Sequence, residues 1–346
     1  MNKNILQNLS GSQASVLGAL AGGAEIMFGY PITPATEILQ GWVEKCQKDA
    51  SLSYLQTEDE TSAGFGVIGA ILAGKKAFTA SAGPGNVLLQ DPISMAENLR
   101  LPFVGIMMQR GGPSTGTVNY SQQEVTLTAF GGNGNGLRIV YSASNIAEMH
   151  DLTSKAFSTA WKYRFPTFVL GDGYLGKMST KVNISDSVRS VTSTLLLKEQ
   201  SEPTYLRNCY SSEESFADML KDHISDWNRD KDKISESESY KCKHVSELVI
   251  AHGIVAEAAK EAINSMGSRK IGLFRPITLN PFPTLQLKKV LQDNKIKKIF
   301  IIESALAQLS RITKYELFDK DIQIIEIDKP ALGFTPEDIK VEIGKI

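Results

Sequence analysis

Cysteine is scarce in this sequence, and its positions exclude two kinds of site. The three cysteines, Cys46, Cys209 and Cys242, are far apart among 346 residues and form no C-x-x-C pair. A disulfide framework needs a dense, even set of cysteines, and a cysteine-held iron–sulfur cluster needs four thiolates. We therefore expect free thiols in a reducing compartment and no such cluster on this chain.

Long apolar runs and a surplus of basic residues are also missing. No stretch of about 18 apolar residues occurs, and residues 1–13 lack the apolar centre of a signal peptide. With 37 Lys and Arg against 38 Asp and Glu, the net charge is -1, which leaves no excess of positive charge to neutralise phosphates. These absences predict a cytoplasmic protein that binds neither a membrane nor nucleic acid.

The pattern that is present predicts two α/β domains. The chain exceeds the size of about 250–300 residues at which a single core stops growing. Residues 12–176 alternate short apolar runs with segments of 3.6-residue period, which is typical of helices flanking a mostly parallel sheet. Residues 183–243 are rich in Ser, Glu, Lys and Asp before the alternation returns. We predict a first domain at 1–180, a variable connection with one or two surface helices at 181–245, and a smaller α/β domain at 246–346.

The apolar runs also predict individual elements. In the first domain we expect strands at Ala24–Phe28, Ser53–Gln56, Ala77–Ala80, Phe103–Met108, Arg138–Tyr141 and Thr167–Leu170. In the second domain we expect them at Glu247–Ala251, Lys270–Phe274, Lys298–Ile302 and Gln323–Ile327. A helix over Ile146–Trp161 would bury one apolar stripe, with Ser144 or Asn145 as its cap.

Two polar strings follow the first two strands. Residues 29–37 read Gly-Tyr-Pro-Ile-Thr-Pro-Ala-Thr-Glu, and residues 56–64 read Gln-Thr-Glu-Asp-Glu-Thr-Ser-Ala-Gly. Both lie at the carboxyl ends of strands, where α/β sheets bind ligands. Thr33 can cap a helix that begins at Pro34, and the helix macrodipole favours acidic residues in a first turn. Helix capping accounts for only part of residues 29–37, so we also consider that this string binds a ligand.

Two Gly-rich loops follow the third and fourth strands. Residues 79–85 read Thr-Ala-Ser-Ala-Gly-Pro-Gly, and residues 109–116 read Gln-Arg-Gly-Gly-Pro-Ser-Thr-Gly. Backbone of this kind can approach a ligand closely. Arg110 leaves a strand into the second loop, where a guanidinium suits a carboxylate. The alternative for Arg110 is a surface ion pair.

Two further glycine motifs argue against nucleotide binding. Residues 64–69 match G-x-G-x-x-G, but they lie inside a predicted helix instead of the tight turn that cradles pyrophosphate. Residues 69–76 end in Lys where a P-loop needs Ser or Thr, and they precede a strand. A stand-alone Rossmann-type NAD-dependent dehydrogenase and a nucleotide triphosphatase are both disfavoured.

The sequence resembles the alpha subunits of the 2-oxoacid:ferredoxin oxidoreductases. Besides the four strings above, the resemblance includes residues 131–140, 166–172, 272–283 and 301–304. It covers nearly the whole chain apart from roughly 180–245. The sequence departs from these subunits at Asn133, where they commonly have His, and at residues 86–89, which read Asn-Val-Leu-Leu instead of Phe-Ser-Leu-Met. Both departures bear on substrate choice more than on cofactor use.

The resemblance implies a fold and a reaction. The fold is a thiamine-diphosphate-binding-type pyrimidine domain, a parallel sheet with flanking helices, plus a smaller C-terminal α/β domain of the transketolase C-terminal type. The reaction is oxidative decarboxylation of a 2-oxoacid with coenzyme A to acyl-CoA and carbon dioxide, with electrons passing to ferredoxin. The strings resemble the 2-oxoglutarate and branched-chain (2-oxoisovalerate) members more than the pyruvate members, and 2-oxoglutarate is the first choice.

The resemblance also assigns site residues. The catalytic positions are Thr33, Glu60 and Arg110, and the cofactor-binding positions are Tyr30, Pro31, Ile32, Thr33, Glu60, Gly83 and Gly85. Glu60 would contact a ring nitrogen of the aminopyrimidine and activate the cofactor, with Glu58 as the alternative. Thr33 and Arg110 would hold the substrate carboxylate. No metal ligand is expected on this chain.

Half of the cofactor site is missing from the sequence. Residues 171–173 read Gly-Asp-Gly, but no suitable Asn follows to hold magnesium and diphosphate. The resemblance therefore implies a beta subunit that carries the diphosphate and magnesium site, a [4Fe–4S] cluster on other subunits, and gamma and delta subunits as further candidates. A non-catalytic assembly subunit is the remaining alternative, and the retention of Thr33, Glu60 and Arg110 argues against it.

Overall fold

The computed structural model describes residues 4–185, 206–317 and 322–345. Residues 186–205 of the predicted connection lie outside the described residues. In chain order the first elements are β1 (Asn4–Ser10), α1 (Gly11–Ala21), β2 (Ile26–Gly29), α2 (Thr36–Cys46), β3 (Ser53–Gln56), α3 (Glu60–Leu72), β4 (Ala77–Ser81), α4 (Pro84–Leu88), α5 (Gln90–Asn98), β5 (Val104–Gln109), α6 (Val125–Phe130), β6 (Ile139–Ser142), α7 (Ile146–Tyr163), β7 (Thr167–Asp172), α8 (Gly173–Lys177) and β8 (Ser179–Ser185). The later elements are α9 (Glu213–Ile234), β9 (Ser237–Tyr240), β10 (Glu247–Ile250), α10 (Gly253–Ser265), β11 (Ile271–Pro276), β12 (Thr278–Asn280), α11 (Thr284–Asp293), β13 (Lys298–Glu303), α12 (Gln308–Glu316), β14 (Gln323–Asp328) and α13 (Pro336–Gly344).

A largely parallel sheet organises the first half of the chain. Its strand order is β12-β6-β7-β5-β4-β2-β3 across the described residues, and β12 alone runs antiparallel. Strands β4, β5 and β7 are buried along their whole length, because helices cover both faces of the sheet. This burial explains why they read as continuous apolar runs rather than as alternating patterns.

All six strands predicted for this sheet are present, with ends that differ by a few residues. The long helix α7 is present as well, and the Asn145 side chain accepts a hydrogen bond from the Glu148 N–H at its start. Asn145 rather than Ser144 is therefore the cap. The β1–β8 pair is a short antiparallel ribbon that the apolar pattern did not indicate.

A second, smaller sheet has the order β14-β13-β10-β11-β9, with the edge strand β9 antiparallel. Its four parallel strands are those predicted from the sequence. The predicted α/β fold with a large parallel sheet and a smaller second unit is confirmed. Strand β12 leaves the second unit and pairs with β6 of the first sheet.

The connecting segment contains one long helix, α9, within the residues that the structure describes. One face of it packs on the first unit: the Trp227 ring meets the Phe165 ring edge-on at 5.1 Å, and Asp226 pairs with Arg100 at 2.9 Å. Among the described residues, no helix has the length and apolar character needed to cross a bilayer.

Candidate active site

Four loops converge at the carboxyl edge of the large sheet. They follow β2, β3, β4 and β5, and these strands are neighbours in the order β5-β4-β2-β3. Parallel neighbours end at the same edge of a sheet, so the polar strings of the sequence are brought together there.

Glu60 is a buried carboxylate at the start of α3. Its neighbour Asp59 caps that helix by accepting the Ser62 N–H at 2.7 Å, while Glu58 precedes the helix and is exposed. Glu60 itself is 3% exposed. Glu58, Asp59 and Glu60 therefore have three different surroundings. Attraction to the helix macrodipole does not by itself explain why Glu60 is buried.

The loop after β4 leaves space for the Glu60 carboxylate. A Cβ at Gly85 would lie 2.1 Å from Glu60 Oε1 and 2.2 Å from Ser81 Oγ, so only glycine fits. The Ser81 hydroxyl donates a long 3.5 Å hydrogen bond to Glu60 Oε1. Burial raises the pKa of Glu60, although its own backbone N–H and the Ser81 contact oppose the shift. A buried carboxylate with so weak a partner is suited to accept a hydrogen bond from a ligand.

Arg110 is buried beside the same loops. It is 5% exposed, and its Nη1 donates to the Thr33 carbonyl oxygen at 2.7 Å. Its Nε is buried with no hydrogen-bond partner among the described residues. Gly83, with φ of +52°, would place a Cβ 2.5 Å from that Nε. Because Arg110 is buried, the interpretation that it forms a surface ion pair is wrong.

The string after β2 forms an irregular turn before its helix. Tyr30 and Pro31 are exposed, and Ile32 packs partly against the core. The expectation that Thr33 caps a helix from Pro34 is wrong: α2 begins at Thr36, and its flanking residue Ala35 makes no side-chain cap. The backbone carbonyl of Thr33 is instead used by Arg110.

Glu124 is a further buried carboxylate at this edge that the sequence did not reveal. Its Oε1 accepts the Gly83 N–H at 2.8 Å and the Arg110 N–H at 2.9 Å. Its Oε2 accepts the Asn86 amide at 2.9 Å. Burial raises the pKa of Glu124, and these hydrogen bonds oppose the shift. In the sequence it resembles any Glu before a short apolar helix, so no local signal could have identified it.

Asp172 of the Gly-Asp-Gly string has a structural use. Its Oδ1 accepts the Tyr174 and Leu175 N–H groups at 2.9 and 3.0 Å and so caps α8. Burial raises the pKa of Asp172 to about 7. No group of three His, Cys, Asp or Glu side chains suited to a metal ion occurs among the described residues.

The helix that carries Glu60 also contains the misleading G-x-G-x-x-G match. Gly64, Gly66 and Gly69 lie inside α3, away from any strand-to-helix turn. A Cβ at Gly66 would lie 2.3 Å from the Phe28 ring, and one at Gly64 would lie 2.4 Å from Pro92. The first two glycines therefore serve close packing of the helix.

Comparison with known proteins agrees with this architecture. Residues 17–243 match the family model described as pyruvate flavodoxin/ferredoxin oxidoreductase, thiamine diP-binding, and residues 246–332 match pyruvate:ferredoxin oxidoreductase core domain II. Ketoisovalerate oxidoreductase subunit VorB of Methanothermobacter marburgensis is 31% identical over 92% of both chains. 2-Oxoglutarate synthase subunit KorA of Methanocaldococcus jannaschii is 30% identical over 93% of this chain and 94% of that protein.

A solved structure is similar over almost the whole fold. The 2-oxoglutarate:ferredoxin oxidoreductase from Magnetococcus marinus, with 2-oxoglutarate, coenzyme A and succinyl-CoA bound, superposes with a TM-score of 0.87 at 25% identity. The match covers 98% of this chain and 65% of the solved chain, so the present chain spans about two thirds of that protein. The chain thus belongs to the pyruvate flavodoxin/ferredoxin oxidoreductase family and is an alpha-type subunit of a 2-oxoacid:ferredoxin oxidoreductase.

Proposed function

We propose that this chain supplies the pyrimidine half of the thiamine diphosphate site in an enzyme that oxidatively decarboxylates a 2-oxoacid with coenzyme A. The observation that carries the proposal is the arrangement at the sheet edge. The carboxylate of the buried, weakly partnered Glu60 occupies the space that Gly85 leaves by lacking a side chain. The buried Arg110 beside it has an Nε without a hydrogen-bond partner among the described residues. Few structural roles need a buried carboxylate and a buried guanidinium together at the carboxyl edge of the sheet.

The residues present fit the cofactor. Among the described residues, the side chain that hydrogen-bonds to the Glu60 carboxylate is Ser81, at 3.5 Å, so a ring nitrogen can take Glu60 as a partner without displacing a strong side-chain contact. Thiamine diphosphate, when bound, supplies a nucleophilic carbon and an electron sink for decarboxylation. Residues that would hold it on this chain are Tyr30, Pro31, Ile32, Thr33, Glu60, Gly83 and Gly85.

Glu60 would activate the cofactor through a hydrogen bond to a ring nitrogen of the aminopyrimidine. Burial raises the pKa of Glu60, which strengthens its hold on a shared proton at the ring nitrogen. Glu58 is exposed and gains no such advantage.

Arg110 and Thr33 would bind the substrate carboxylate. The guanidinium is fixed through Nη1 to the Thr33 carbonyl, and its free Nε is a charge-assisted donor for an anion. Since the Arg110 guanidinium lies beside Gly83, the carboxylate would be held next to the cofactor.

The substrate proposed first is 2-oxoglutarate. Relatives named for 2-oxoglutarate and for ketoisovalerate match this chain to a similar degree, so a panel of oxoacids decides between them. The experiment combines this chain with its beta subunit and measures ferredoxin reduction that depends on coenzyme A with 2-oxoglutarate, 2-oxoisovalerate and pyruvate. The highest kcat/KM is expected with 2-oxoglutarate. Turnover with none of the three would contradict the proposed function.

The other proposed partners would supply the magnesium and diphosphate ligands and the cluster-binding cysteines that the sequence analysis did not find in this chain. We propose that a beta subunit carries the diphosphate and magnesium site, that [4Fe–4S] clusters lie on other subunits, and that ferredoxin accepts the electrons in the cytoplasm. Gamma and delta subunits are further candidates. The division into 1–180, 181–245 and 246–346 also stays a proposal.

A further inference from the structure

Glu124 joins two of the loops that form the candidate site. One carboxylate oxygen accepts the N–H of Gly83 and the N–H of Arg110, which belong to the loop after β4 and the end of β5. Glu124 is 4% exposed. The β4–β5 ladder ends at Ser81 and Met107, and beyond it this shared acceptor connects the two backbone segments.

Asn86 holds the second oxygen of that carboxylate. Its Nδ2 donates to Glu124 Oε2 and to Thr128 Oγ1, both at 2.9 Å, and its Oδ1 accepts from the Gln90 amide at 3.0 Å. Asn86 is fully buried. These bonds fix the orientation of the Asn86 amide. If its nitrogen and oxygen were exchanged, the oxygen would face the Glu124 carboxylate and the NH₂ group would face the Gln90 NH₂ group.

The three partners of Glu124 named here are all donors. Both carboxylate oxygens therefore act only as acceptors toward them, a requirement that an ionised carboxylate meets and an amide does not. A single side chain thus links Gly83, Arg110 and Asn86 in a buried network.

We infer that Glu124, oriented by Asn86, is a positioning residue that sets the distance between Arg110 and the Gly83 loop, and so places Arg110 to receive the 2-oxoacid carboxylate. The inference rests on the proposed role of Arg110. It assigns to Glu124 no contact with substrate or cofactor.

A pair of substitutions tests the arrangement of donors and acceptors. Glu124→Gln places an amide N–H₂ against either the Asn86 amide or the two backbone N–H groups, and donors then face donors. Asn86→Asp places two carboxylates side by side, which is also unfavourable. Together the two changes restore the match between residues 124 and 86, since the new amide oxygen accepts both backbone N–H groups and the new amide nitrogen donates to the new carboxylate. The Thr128 hydroxyl, which donates to the Glu124 carbonyl, can turn to donate to that carboxylate in place of accepting from Asn86.

The first measurement needs no enzyme activity. Amide hydrogen exchange of the full chain is compared for the peptides that contain Gly83 and Arg110. Exchange is expected to accelerate by about tenfold in each single variant and to return toward the wild-type rate in the double variant. Unchanged protection in Glu124→Gln, or a double variant no better than the worse single one, would overturn the inference.

The second measurement uses the assembled complex. Glu124→Gln is expected to raise the KM for the oxoacid about tenfold with a smaller change in kcat. This change has the same direction as the larger one expected for Arg110→Lys, and the double variant should lower the KM again. Glu25→Gln is the control, because Glu25 is another carboxylate that accepts a backbone N–H, that of Lys76, and it precedes β2 at the end of the sheet opposite the candidate site. An equal rise in KM for Glu25→Gln would reduce Glu124 to a general stabilising role. If Arg110→Lys itself leaves KM unchanged, the proposed role of Arg110 fails, while hydrogen exchange still decides whether Glu124 sets the spacing of the loops.

Discussion

At the residue scale, Glu60 and Glu58 differ in exposure although only Asp59 separates them. Glu60→Gln keeps the size and hydrogen-bonding capacity of the side chain but removes the charge. In the assembled complex, proton exchange at the thiazolium C2 of bound cofactor should slow by at least ~100-fold, the usual scale of a lost acid–base group. Substrate binding should change little. Deuterium exchange measured by NMR after acid quench gives the rate.

Glu58→Gln is the matched control for this prediction, because Glu58 is exposed at the entry to the same helix. In this variant, proton exchange at the thiazolium C2 of bound cofactor should proceed at the wild-type rate. The opposite pattern would show that Glu58 faces the aminopyrimidine, and normal exchange in both variants would show that the activating carboxylate lies elsewhere.

Arg110→Lys separates substrate binding from cofactor activation. Lysine keeps the charge but loses the planar fork that reaches the Thr33 carbonyl. Recognition of the oxoacid should weaken by ~2–3 kcal/mol in kcat/KM, while C2 proton exchange should persist. Steady-state kinetics beside the exchange rate provide the test, with circular dichroism to confirm folding. Loss of exchange together with kcat/KM would contradict the separate roles.

Asp172 should make stability depend on pH. Its pKa is raised from 3.8 to about 7 by burial, so between these values the folded state holds a proton that the unfolded state releases. Stability from this group is present at low pH and is lost as pH rises through about 7. The difference in unfolding free energy between wild type and Asp172→Asn should therefore fall as pH rises from about 4 to about 7, by up to about 1.4 kcal/mol per unit. Urea unfolding across this range measures it, and a difference that does not vary with pH would contradict the assignment.

The sequence predicts some of these residues better than others. Thr33, Glu60, Gly83, Gly85 and Arg110 lie in distinctive strings at strand ends, and the structure brings these strings to one edge. Glu124 follows a long loop whose path no local pattern specifies. In the sequence, Asn86 is noticeable only because the related subunits have Phe at this position. The structure shows that Glu124 accepts a hydrogen bond from the buried Asn86 amide, which explains how a polar side chain is accommodated at this position.

At the element scale, helix α3 must pack closely on β2 to carry Glu60 to the site. Gly66→Ala would push a methyl group against Phe28, whose ring lies 2.3 Å from the ideal Cβ position. We expect a loss of ~1–3 kcal/mol in unfolding free energy. Gly69→Ala is the control, because no atom lies within 4 Å of its Cβ position, and it should gain ~0.5–1 kcal/mol from helix propensity. Urea unfolding of both variants tests this, and equal stabilities would contradict the packing role.

The predicted and missed elements differ in character. Strands β4, β5 and β7 are buried on both faces, so their apolar runs are unmistakable in the sequence. Strands β9 and β12 are short, and both pair antiparallel at sheet edges. β9 reads Ser-Glu-Ser-Tyr, which has no apolar pattern. Both β9 and β12 are defined by hydrogen bonds to strands that are distant in the sequence.

At the scale of the whole molecule, the two units are joined by polar contacts that sequence periodicity cannot show. The Tyr120 hydroxyl donates to Ser304 Oγ at 2.8 Å, and Arg275 pairs with Glu148 at 2.7 Å. The segment that holds Glu124 is also bound to the second unit, since Gln122 exchanges two hydrogen bonds with Ser304. The second unit therefore supports the loop that positions Arg110.

The central claim is that this chain provides one half of a shared cofactor site, and cofactor binding tests it most directly. Magnesium and thiamine diphosphate are titrated by calorimetry into the purified chain, into its beta subunit and into the mixture, with iron analysis of the purified chain. We predict no iron and no micromolar binding by the chain alone, and saturable binding by the mixture that weakens in Glu60→Gln. Micromolar binding or stoichiometric iron in the isolated chain, or a mixture that does not bind the cofactor, would contradict the account.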